Sequence, residues 1–290
     1  MRRCSEPRSG AALRRPLVEL DVIVVAHQSA GALARCFSGV PEAQRHRFIV
    51  VDNASTDGSA EIAKAHGARV LQEKRNLGFG RAANTAARRA TASHLCFLNP
   101  DCRPTAQLFE AILDRLRADP DACLAIDLCE PGGRLVSGRQ PGYSAAKLLY
   151  DALVTNYRPG RLTALLQRVP SFHDPRWFWA HGACFVIGRE RFRNMGGFDA
   201  RYFLYMEDVD FGRRLYRAGG SVVALHHAVH HQARRGADVS PIYRLWHLNV
   251  SRVRYAACHH GLLTAMAVAA LSAPGFLAHM VKDPRCGAAQ

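Results

Sequence analysis

The sequence predicts an α/β protein built on a mostly parallel sheet flanked by helices, with further helices at the C-terminal end. Short β-branched, apolar runs without a helical period alternate with segments of helical length in the first part of the chain. From Pro241 onward the spacing of apolar residues is predominantly helical. The 290 residues, 48% of them hydrophobic, are enough to bury one large core.

The elements follow one another in a βαβαβ rhythm. Strands are predicted at residues 18–26, 48–52, 68–71, 94–98, 183–187 and 222–225, and helices at 29–40, 59–66, 79–92, 105–118 and 207–218. Glycine and proline between residues 131 and 142 predict a loop over the sheet, and residues 143–169 form basic, apolar segments of helical character. Gly219 and Gly220 end the helix predicted at 207–218.

Net charge, cysteine content and the first residues of the chain limit the ligands and the cellular compartment that we expect for this protein. The formal net charge of +15 predicts attraction to phosphates, nucleic acid or an anionic membrane, without choosing among them. Nine cysteines, an odd number with no Cys-x-x-Cys pair, predict reduced thiols and a cytoplasmic protein. Residues 1–17 carry five arginines and no apolar stretch of the kind a signal peptide needs, which predicts a flexible basic tail.

Residues 233–290 are predicted to form a C-terminal helical region. Within it, residues 262–281 are nearly uncharged over twenty positions, but they are alanine-rich and interrupted by Pro274. This pattern favours a helix in the core or at a membrane surface over one that spans the membrane. The hypothesis that follows is peripheral contact with the inner face of the cytoplasmic membrane.

Acidic residues end two of the predicted strands. Asp52 and Asp101 lie where open α/β sheets bind their ligands, at the carboxyl ends of strands. Asp52 is open to two interpretations, a contact with a base or ribose and a structural role in the turn that it opens. Asp57, later in the same turn, is better explained as a turn or helix-cap residue.

Glu207, Asp208 and Asp210 crowd three carboxylates into four residues at the predicted N-terminus of a helix, beside aromatic residues. Stabilisation by the helix dipole explains such a cluster without any catalytic role. The same arrangement suits a transferase that deprotonates a sugar hydroxyl while the sugar ring stacks nearby. The residues alone leave both interpretations open.

Four histidines, at positions 226, 227, 230 and 231, follow the last predicted strand. The chain has no His-Glu-x-x-His pattern, which argues against a dedicated zinc site. One of these histidines could join Asp101 around a diphosphate-bound Mg²⁺ or Mn²⁺, because these cations take few protein ligands besides substrate phosphates. At least two of the four are expected to be solvated or to lie in the core.

Several motifs between residues 20 and 231 together resemble glycosyltransferase family 2, and within it the bacterial rhamnosyltransferase type. They are VIVV at 22–25 with Ser29, VVDNASTDGS at 50–59, NLGFGRAAN at 76–84, LNPD at 98–101, GA at 182–183, GGFD at 196–199 and FLYMEDVDFGRR at 203–214. The resemblance implies a Rossmann-like GT-A fold over residues 18–232, with a nucleotide-binding half at 18–101 and an acceptor and catalytic half at 102–232. It also implies a nucleoside-diphosphate sugar donor, a divalent cation (Mg²⁺ or Mn²⁺) and inversion at the anomeric carbon.

The resemblance also implies roles for residues that bind the donor. Asp52 would contact the base of the donor nucleotide, and Asn76 and Arg81 would line the nucleotide crevice. Asp101 would be the metal-binding carboxylate. Asn99 stands where the family usually has a second acidic residue, so we expect it to belong to the donor site and the metal to be held weakly.

The remaining roles concern the acceptor and the chemistry. By resemblance Asp208 would be the general base, with Glu207 orienting the acceptor or the base, and His230 would help to hold the metal or the diphosphate. Arg214 would neutralise phosphate charge or form a salt bridge within its own helix. His181, where a small residue is more usual, would touch acceptor or diphosphate or simply pack.

The predicted function is transfer of a sugar, rhamnose by the subgroup resemblance, to a hydroxyl of a glycan or lipid-linked acceptor in cell-envelope polysaccharide synthesis. Two alternatives stay open, a non-catalytic nucleotide-sugar-binding protein and a family 2 transferase with a hexose or galactofuranose donor. A dinucleotide-dependent oxidoreductase is excluded because the first strand is followed by Gly31 alone rather than by a glycine fingerprint. No nucleic acid partner is expected, since the basic residues match no nucleic-acid-binding motif.

Overall fold

A computed structural model of the protein describes residues 19–156, 172–232 and 240–282. The predicted basic tail over residues 1–17 lies outside the described residues, and so does the part of the predicted helical segment from 157 to 169. The prediction of an α/β fold is confirmed, and within the described ranges no helix combines the length and hydrophobicity that crossing a membrane requires.

The strands form one large sheet and one hairpin. Their bounds are β1 Leu20–Ala26, β2 Phe48–Asp52, β3 Arg69–Gln72, β4 His94–Leu98, β5 Cys102–Arg103, β6 Cys123–Cys129, β7 Leu135–Val136, β8 Arg139–Tyr143, β9 His173–Ala180, β10 Cys184–Gly188 and β11 Val222–His231. The large sheet has the order β3-β2-β1-β4-β10-β6-β11-β5, with β7 on β6, and β8 pairs with β9 separately. β3, β2, β1 and β4 are parallel, whereas β10 runs antiparallel between β4 and β6.

Helices cover both faces of the large sheet and form the C-terminal region. Their bounds are α1 Ala30–Ser38, α2 Ser59–Ala65, α3 Phe79–Arg89, α4 Ala106–Ala118, α5 Ala145–Asn156, α6 Arg189–Asn194, α7 Glu207–Arg217, α8 Pro241–His260 and α9 Leu262–Lys282, with a 3₁₀ helix at Glu42–Arg47. Each helix predicted from the sequence is present within a few residues of its expected bounds. Thr105 caps α4 by accepting a hydrogen bond from the Leu108 N–H at 3.3 Å.

Two predictions from the middle of the chain onward were wrong, and two strands were not predicted. The loop predicted at 131–142 contains β7 and most of β8, and β6 and β9 form where no strand was predicted. The last strand is longer than predicted, so the four histidines lie inside β11 rather than after it. β6 carries Asp127 among its apolar residues, and it is buried because β10 and β11 flank it on both sides.

The two faces of the sheet carry separate hydrophobic cores, because successive side chains of a strand point to opposite faces. In β1, Val22 and Val24 face the core under α1 and α4, whereas Ile23 faces the core under α3 and α7. The second core contains a cluster of aromatic rings in which Phe97 and Phe185 stack with centroids 4.8 Å apart and Phe198 meets Phe97 edge-on at 5.2 Å. This cluster holds the loop before α7 against the sheet.

A third core joins the C-terminal helices to α7. Tyr202, Met206 and Val209, from α7 and the loop before it, pack against buried residues of α5, α8 and α9. Tyr255 of α8 is fully buried there, and Ser251 donates a hydrogen bond to the carbonyl of Leu204 at 2.9 Å. The helices after residue 240 therefore support the segment that carries the acidic cluster.

We predict that Gly78→Ala lowers the free energy of unfolding far more than Gly67→Ala does. Both glycines have positive φ, +78° and +81°, but a Cβ at Gly78 would lie 2.1 Å from the Phe203 carbonyl oxygen, whereas Gly67 has open space. We expect a loss of about 1 kcal/mol at Gly67 from backbone strain alone and at least about 3 kcal/mol at Gly78. Urea unfolding of the two variants measures the difference, and equal losses would contradict the described approach of Gly78 to Phe203.

Candidate active site

The carboxyl edge of the sheet collects the polar residues of the site. β2 ends at Asp52 and β4 leads directly to Asn99 and Asp101, and these parallel strands end at one edge. β10 is antiparallel to β4, with Cys184 opposite Leu98, so the Gly182-Ala183 segment that precedes β10 lies at the same edge. Ligands of open α/β sheets bind at such an edge.

Asp208 is joined to this edge by hydrogen bonds to its carboxylate. Its Oδ2 accepts the backbone N–H of Gly182 at 2.9 Å, and its Oδ1 accepts the N–H of Val209 at 2.9 Å. Burial raises the pKa of Asp208, while the neighbouring His181 and the N–H donors oppose that rise. A carboxylate with a raised pKa is a stronger base, which suits proton removal near neutral pH.

Glu207 precedes Asp208 and is more deeply buried. Its Oε2 has no hydrogen-bond partner among the residues that the structure describes. Burial raises the pKa of Glu207 to about 8, and the neighbouring Asp208 carboxylate adds to the rise. The side chain is therefore largely protonated at neutral pH, and it is a hydrogen-bond donor there.

The backbone before α7 is strained. Tyr205 and Met206 both have positive φ, +68° and +67°, in which non-glycine residues are uncommon. The N–H of Asp210 still bonds to the Met206 carbonyl at 2.8 Å, so the helix starts directly after the strained pair. Strain of this kind persists where surrounding packing imposes it and is common at functional sites. Here it sets the direction in which Glu207 and Asp208 leave the loop.

Asp52 and Asn76 lie in one hydrogen-bonded loop network at the end of β2. Asp52 is buried, and its Oδ1 accepts the Ser55 N–H at 3.1 Å, so the structural interpretation of this residue has a specific contact. Asn53, which the sequence did not single out, donates to Asn76 Oδ1 at 2.8 Å and accepts the Leu77 N–H at 2.8 Å. Asn53 is a buried polar residue directly after a strand, and that position was the available signal.

Arg81 and Asn84 of α3 bond to the loop that leads to α7. Arg81 Nε donates to the Ala200 carbonyl at 2.8 Å. Asn84 makes two bonds to Phe198, donating to its carbonyl at 2.7 Å and accepting its N–H at 2.9 Å. Asn84 belongs to the 76–84 motif but had no predicted role. Both side chains thus join α3 to the loop that leads to α7.

His231, rather than His230, meets Asp101. In the antiparallel pairing of β11 with β5, His231 lies opposite Cys102 and His230 opposite Arg103, so the two histidines point to opposite faces. His230 is exposed, whereas His231 Nε2 lies 3.3 Å from Asp101 Oδ1. The placement of His230 does not fit its predicted metal role, because a one-residue step along a strand reverses the face.

Donor atoms of Asp101, Cys102 and His231 all lie within 4.8 Å of one another. A carboxylate and an imidazole at this spacing suit a divalent cation of the Mn²⁺ type, so the residues present fit the cofactor that the resemblance implies. Asn99 lies in the turn between β4 and β5. Its N–H donates to the Ala183 carbonyl at 2.8 Å, and its carbonyl accepts the Cys102 N–H at 3.1 Å.

His181 lies between the acidic cluster and this group. Its ring stacks on Trp179 with centroids 6.0 Å apart and meets His231 at 6.3 Å. Its Nδ1 accepts the Ala183 N–H at 3.1 Å, and burial lowers the pKa of His181. The imidazole is therefore neutral at neutral pH, with its proton on Nε2. His181 can therefore pack and also contact a substrate, because its ring face packs on Trp179 while its Nε2–H can still donate a hydrogen bond.

Arg214 is bound within the protein rather than presented to a phosphate. Its guanidinium pairs with Asp210 at 2.7 Å and donates to the carbonyls of Met195 at 2.9 Å and Gly197 at 2.8 Å. Of its two predicted roles, the salt bridge within its own helix is the one that the structure contains. The other Asp210 oxygen lies 2.7 Å from Nε2 of His259 on α8, a contact between residues 49 positions apart that no local pattern indicates.

The sequence was compared with known protein families and with known proteins. The model of glycosyl transferase family 2 matches residues 21–209. N-acetylglucosaminyl-diphospho-decaprenol L-rhamnosyltransferase of Mycobacterium tuberculosis is 28% identical over 243 residues, which cover 76% of this chain and 79% of that protein.

Two solved structures have the same fold. Mannosyltransferase PcManGT from Pyrobaculum calidifontis, in complex with GDP-Man and Mn²⁺, superposes with a TM-score of 0.54 at 18% identity and covers 93% of this chain and 76% of that one. Residues 1–349 of TarS from S. aureus give a TM-score of 0.52 at 16% identity, with 92% and 73% covered. The fold is GT-A, as the motifs implied, and the family supports a transferase activity. The chain belongs to glycosyltransferase family 2.

Proposed function

We propose that the protein is an inverting glycosyltransferase that moves rhamnose from a nucleoside-diphosphate sugar to a hydroxyl of a lipid-linked glycan acceptor in cell-envelope polysaccharide synthesis. The observation that carries the proposal is the Asp208 carboxylate, held at the sheet edge by the Gly182 N–H at 2.9 Å. The similarity to a rhamnosyltransferase over most of both chains supports the choice of sugar and acceptor class.

In the proposed reaction Asp208 takes the proton of the acceptor hydroxyl as its oxygen attacks the anomeric carbon. The bond from that carbon to the donor diphosphate breaks in the same displacement, so the configuration inverts and no covalent enzyme intermediate forms. Protonated Glu207 donates a hydrogen bond that orients the acceptor or Asp208. The neutral His181 ring keeps an Nε2–H that can donate a hydrogen bond to developing negative charge.

The donor binds at the loops after β2 and β4. Asp52 contacts the base or ribose, and the loop that Asn76 braces forms the crevice wall. Asp101 and His231 would hold the divalent cation, Mg²⁺ or Mn²⁺, which would supply Lewis-acid stabilisation of the departing diphosphate. The positive charge of the chain, +15 in total, favours the approach of such an anionic donor.

Transfer measured with a panel of donors tests the proposal, using nucleoside-diphosphate rhamnose, hexose and galactofuranose with a polyprenyl-diphosphate-linked acceptor and Mn²⁺. We expect rhamnose transfer, and expect Asp208→Asn to lower kcat by about 10²–10⁴-fold with donor binding unchanged, because the amide cannot accept the proton. Asp114→Asn is the control, since Asp114 is an exposed residue of α4 whose partner is Arg117.

Each outcome of this assay has a separate meaning. A hexose or galactofuranose product would replace the donor while leaving the reaction class intact. Donor binding without transfer to any acceptor would favour the alternative of a nucleotide-sugar-binding protein. Unchanged turnover of the Asp208→Asn variant would remove Asp208 from the role of base.

The raised pKa of Glu207 predicts a pH-dependent stability. The folded carboxyl holds its proton up to a pKa of about 8, whereas the unfolded one releases it near its ordinary value of 4.5, so the folded state binds more protons between these values. Stability should therefore fall as pH rises from about 5 to 8, by at most about 1.4 kcal/mol per pH unit. Urea unfolding of wild type and Glu207→Gln over this range measures it. Parallel pH profiles would show that Glu207 titrates normally.

We further propose that the start of α9 rests on the membrane surface. Leu262, Leu263 and Met266 are 71%, 83% and 60% exposed there. An exposed apolar group of this kind suits insertion at an interface. We expect co-flotation with anionic vesicles at low salt, and about tenfold weaker binding for Leu262→Ser combined with Leu263→Ser. Leu135→Ser, at an equally exposed leucine in β7, is the control. Recovery of all the wild-type protein away from the vesicles would contradict this contact.

A further inference from the structure

The cation site contains a thiol beside its carboxylate and imidazole. Cys102 is fully buried and follows Asp101 in the chain, and its register partner across the strand pair is His231. Register partners in an antiparallel pair present their side chains on the same face, so the thiol and the imidazole share the face on which Asp101 meets His231. All three donor atoms lie within 4.8 Å of one another.

The chemistry of these donors differs from that of an oxygen-only site. Mg²⁺ and Mn²⁺ prefer carboxylates, carbonyls and water, whereas thiolate and imidazole are preferred by Zn²⁺ and related borderline cations. A carboxylate, an imidazole and a thiolate together make a three-ligand set of the kind that leaves one position of a tetrahedral Zn²⁺ open. The relevant donor is Cys102, because the other two residues suit either class of cation.

The distances between the three donor atoms are close to those between the ligands of a tetrahedral Zn²⁺. Two ligands of a tetrahedral Zn²⁺ lie roughly 3.5 Å apart, and the Asp101–His231 pair is already at 3.3 Å. Only the distances to the sulfur have to shorten, by no more than about 1.3 Å from the 4.8 Å limit. The thiol gives up one hydrogen bond, to the Ala183 carbonyl at 3.4 Å, and sulfur is a weak donor.

We propose that Cys102 is a third ligand at the cation site and that Asp101, Cys102 and His231 together bind Zn²⁺ or Co²⁺ more tightly than Mg²⁺ or Mn²⁺. This inference rests on the proposed function in one respect, that Asp101 and His231 hold the cation. When the bond between sulfur and metal forms, the thiol proton passes to solvent and the charge of the thiolate is neutralised by the cation. The replacement of an acidic residue by Asn99 makes this third ligand more important, since the site has one carboxylate fewer.

Absorption spectroscopy with Co²⁺ tests the ligand directly, without an activity measurement. A thiolate bound to Co²⁺ produces an intense near-ultraviolet charge-transfer band, which oxygen and nitrogen ligands do not. The background is the full chain with Cys4, Cys258 and Cys286 replaced by serine, because Cys258 is exposed and the other two lie outside the described residues. We expect the band in this background and its loss on adding Cys102→Ser.

Competition against a chromophoric chelator gives the affinities. We expect Cys102→Ser to weaken Zn²⁺ binding by at least about tenfold and Mn²⁺ binding by much less. Cys129→Ser, at a half-buried thiol near the end of β6, is the matched control and should change neither. Retained Mn²⁺ binding by Cys102→Ser would also show that the variant is folded, and Cys102→Ala repeats the test with a smaller side chain.

The outcomes separate this inference from the proposed function. A charge-transfer band that survives Cys102→Ser, or Co²⁺ binding without any band, overturns the assignment of Cys102 while leaving the transferase proposal intact. His231→Gln should lose the band and Mn²⁺ binding together, and His230→Gln should lose neither. If His231→Gln keeps both, the cation is held elsewhere, and the shared assumption of the two proposals is wrong.

Discussion

The hydrogen bond from the Gly182 N–H to Asp208 Oδ2 is the contact on which the arrangement of the site depends. It joins the segment before β10 to the first turn of α7, two parts of the chain that are 26 residues apart. Position 182 is also tight for any larger residue, because a Cβ there would lie 3.1 Å from that carboxylate oxygen and the carboxylate would have to shift by a few tenths of an ångström. The proposed general base is thus positioned by a backbone group, which has fewer alternative conformations than a side chain.

The other contacts of α7 keep this geometry from changing. Asp210 accepts from Arg214 and His259, and Arg214 also bonds to two carbonyls of the loop before the helix. Since residues two apart on a helix point about 200° away from each other, Asp208 and Asp210 face opposite sides. The acidic cluster therefore has two parts. Glu207 and Asp208 lie toward the sheet edge, and Asp210 contacts the C-terminal helices.

This arrangement has a cost in stability. Glu207 is buried beside a second carboxylate, one of its oxygens has no partner among the described residues, and the two residues before it have positive φ. Each of these features destabilises a folded protein by itself. The surrounding aromatic cluster and the packing of Tyr202 and Tyr255 offset them. Local rules are broken most often at functional sites, and the concentration of exceptions at Glu207 fits the proposed role.

Much of the fold between residues 18 and 101 could be predicted from the sequence. Most of its strands are largely apolar runs, β-branched in β1 and β2, and its helices follow at regular intervals, so local pattern and fold agree. The middle of the chain could not be predicted in this way. β6, β8 and β9 contain proline, aspartate or tryptophan at positions that look irregular alone, and they become strands because neighbours distant in sequence pair with them.

The sequence by itself determined the α/β class, the order of the acidic motifs and the residue types at each strand end. The tertiary structure decided which of these residues meet. It brought His231 rather than His230 to Asp101, and it bound Arg214 to Asp210 and the loop before α7. The physical reason is that side-chain direction on a strand reverses with each residue, and strand register is fixed by pairing with distant segments. A contact such as Asp210 with His259 depends on how helices pack, and no local pattern contains that information.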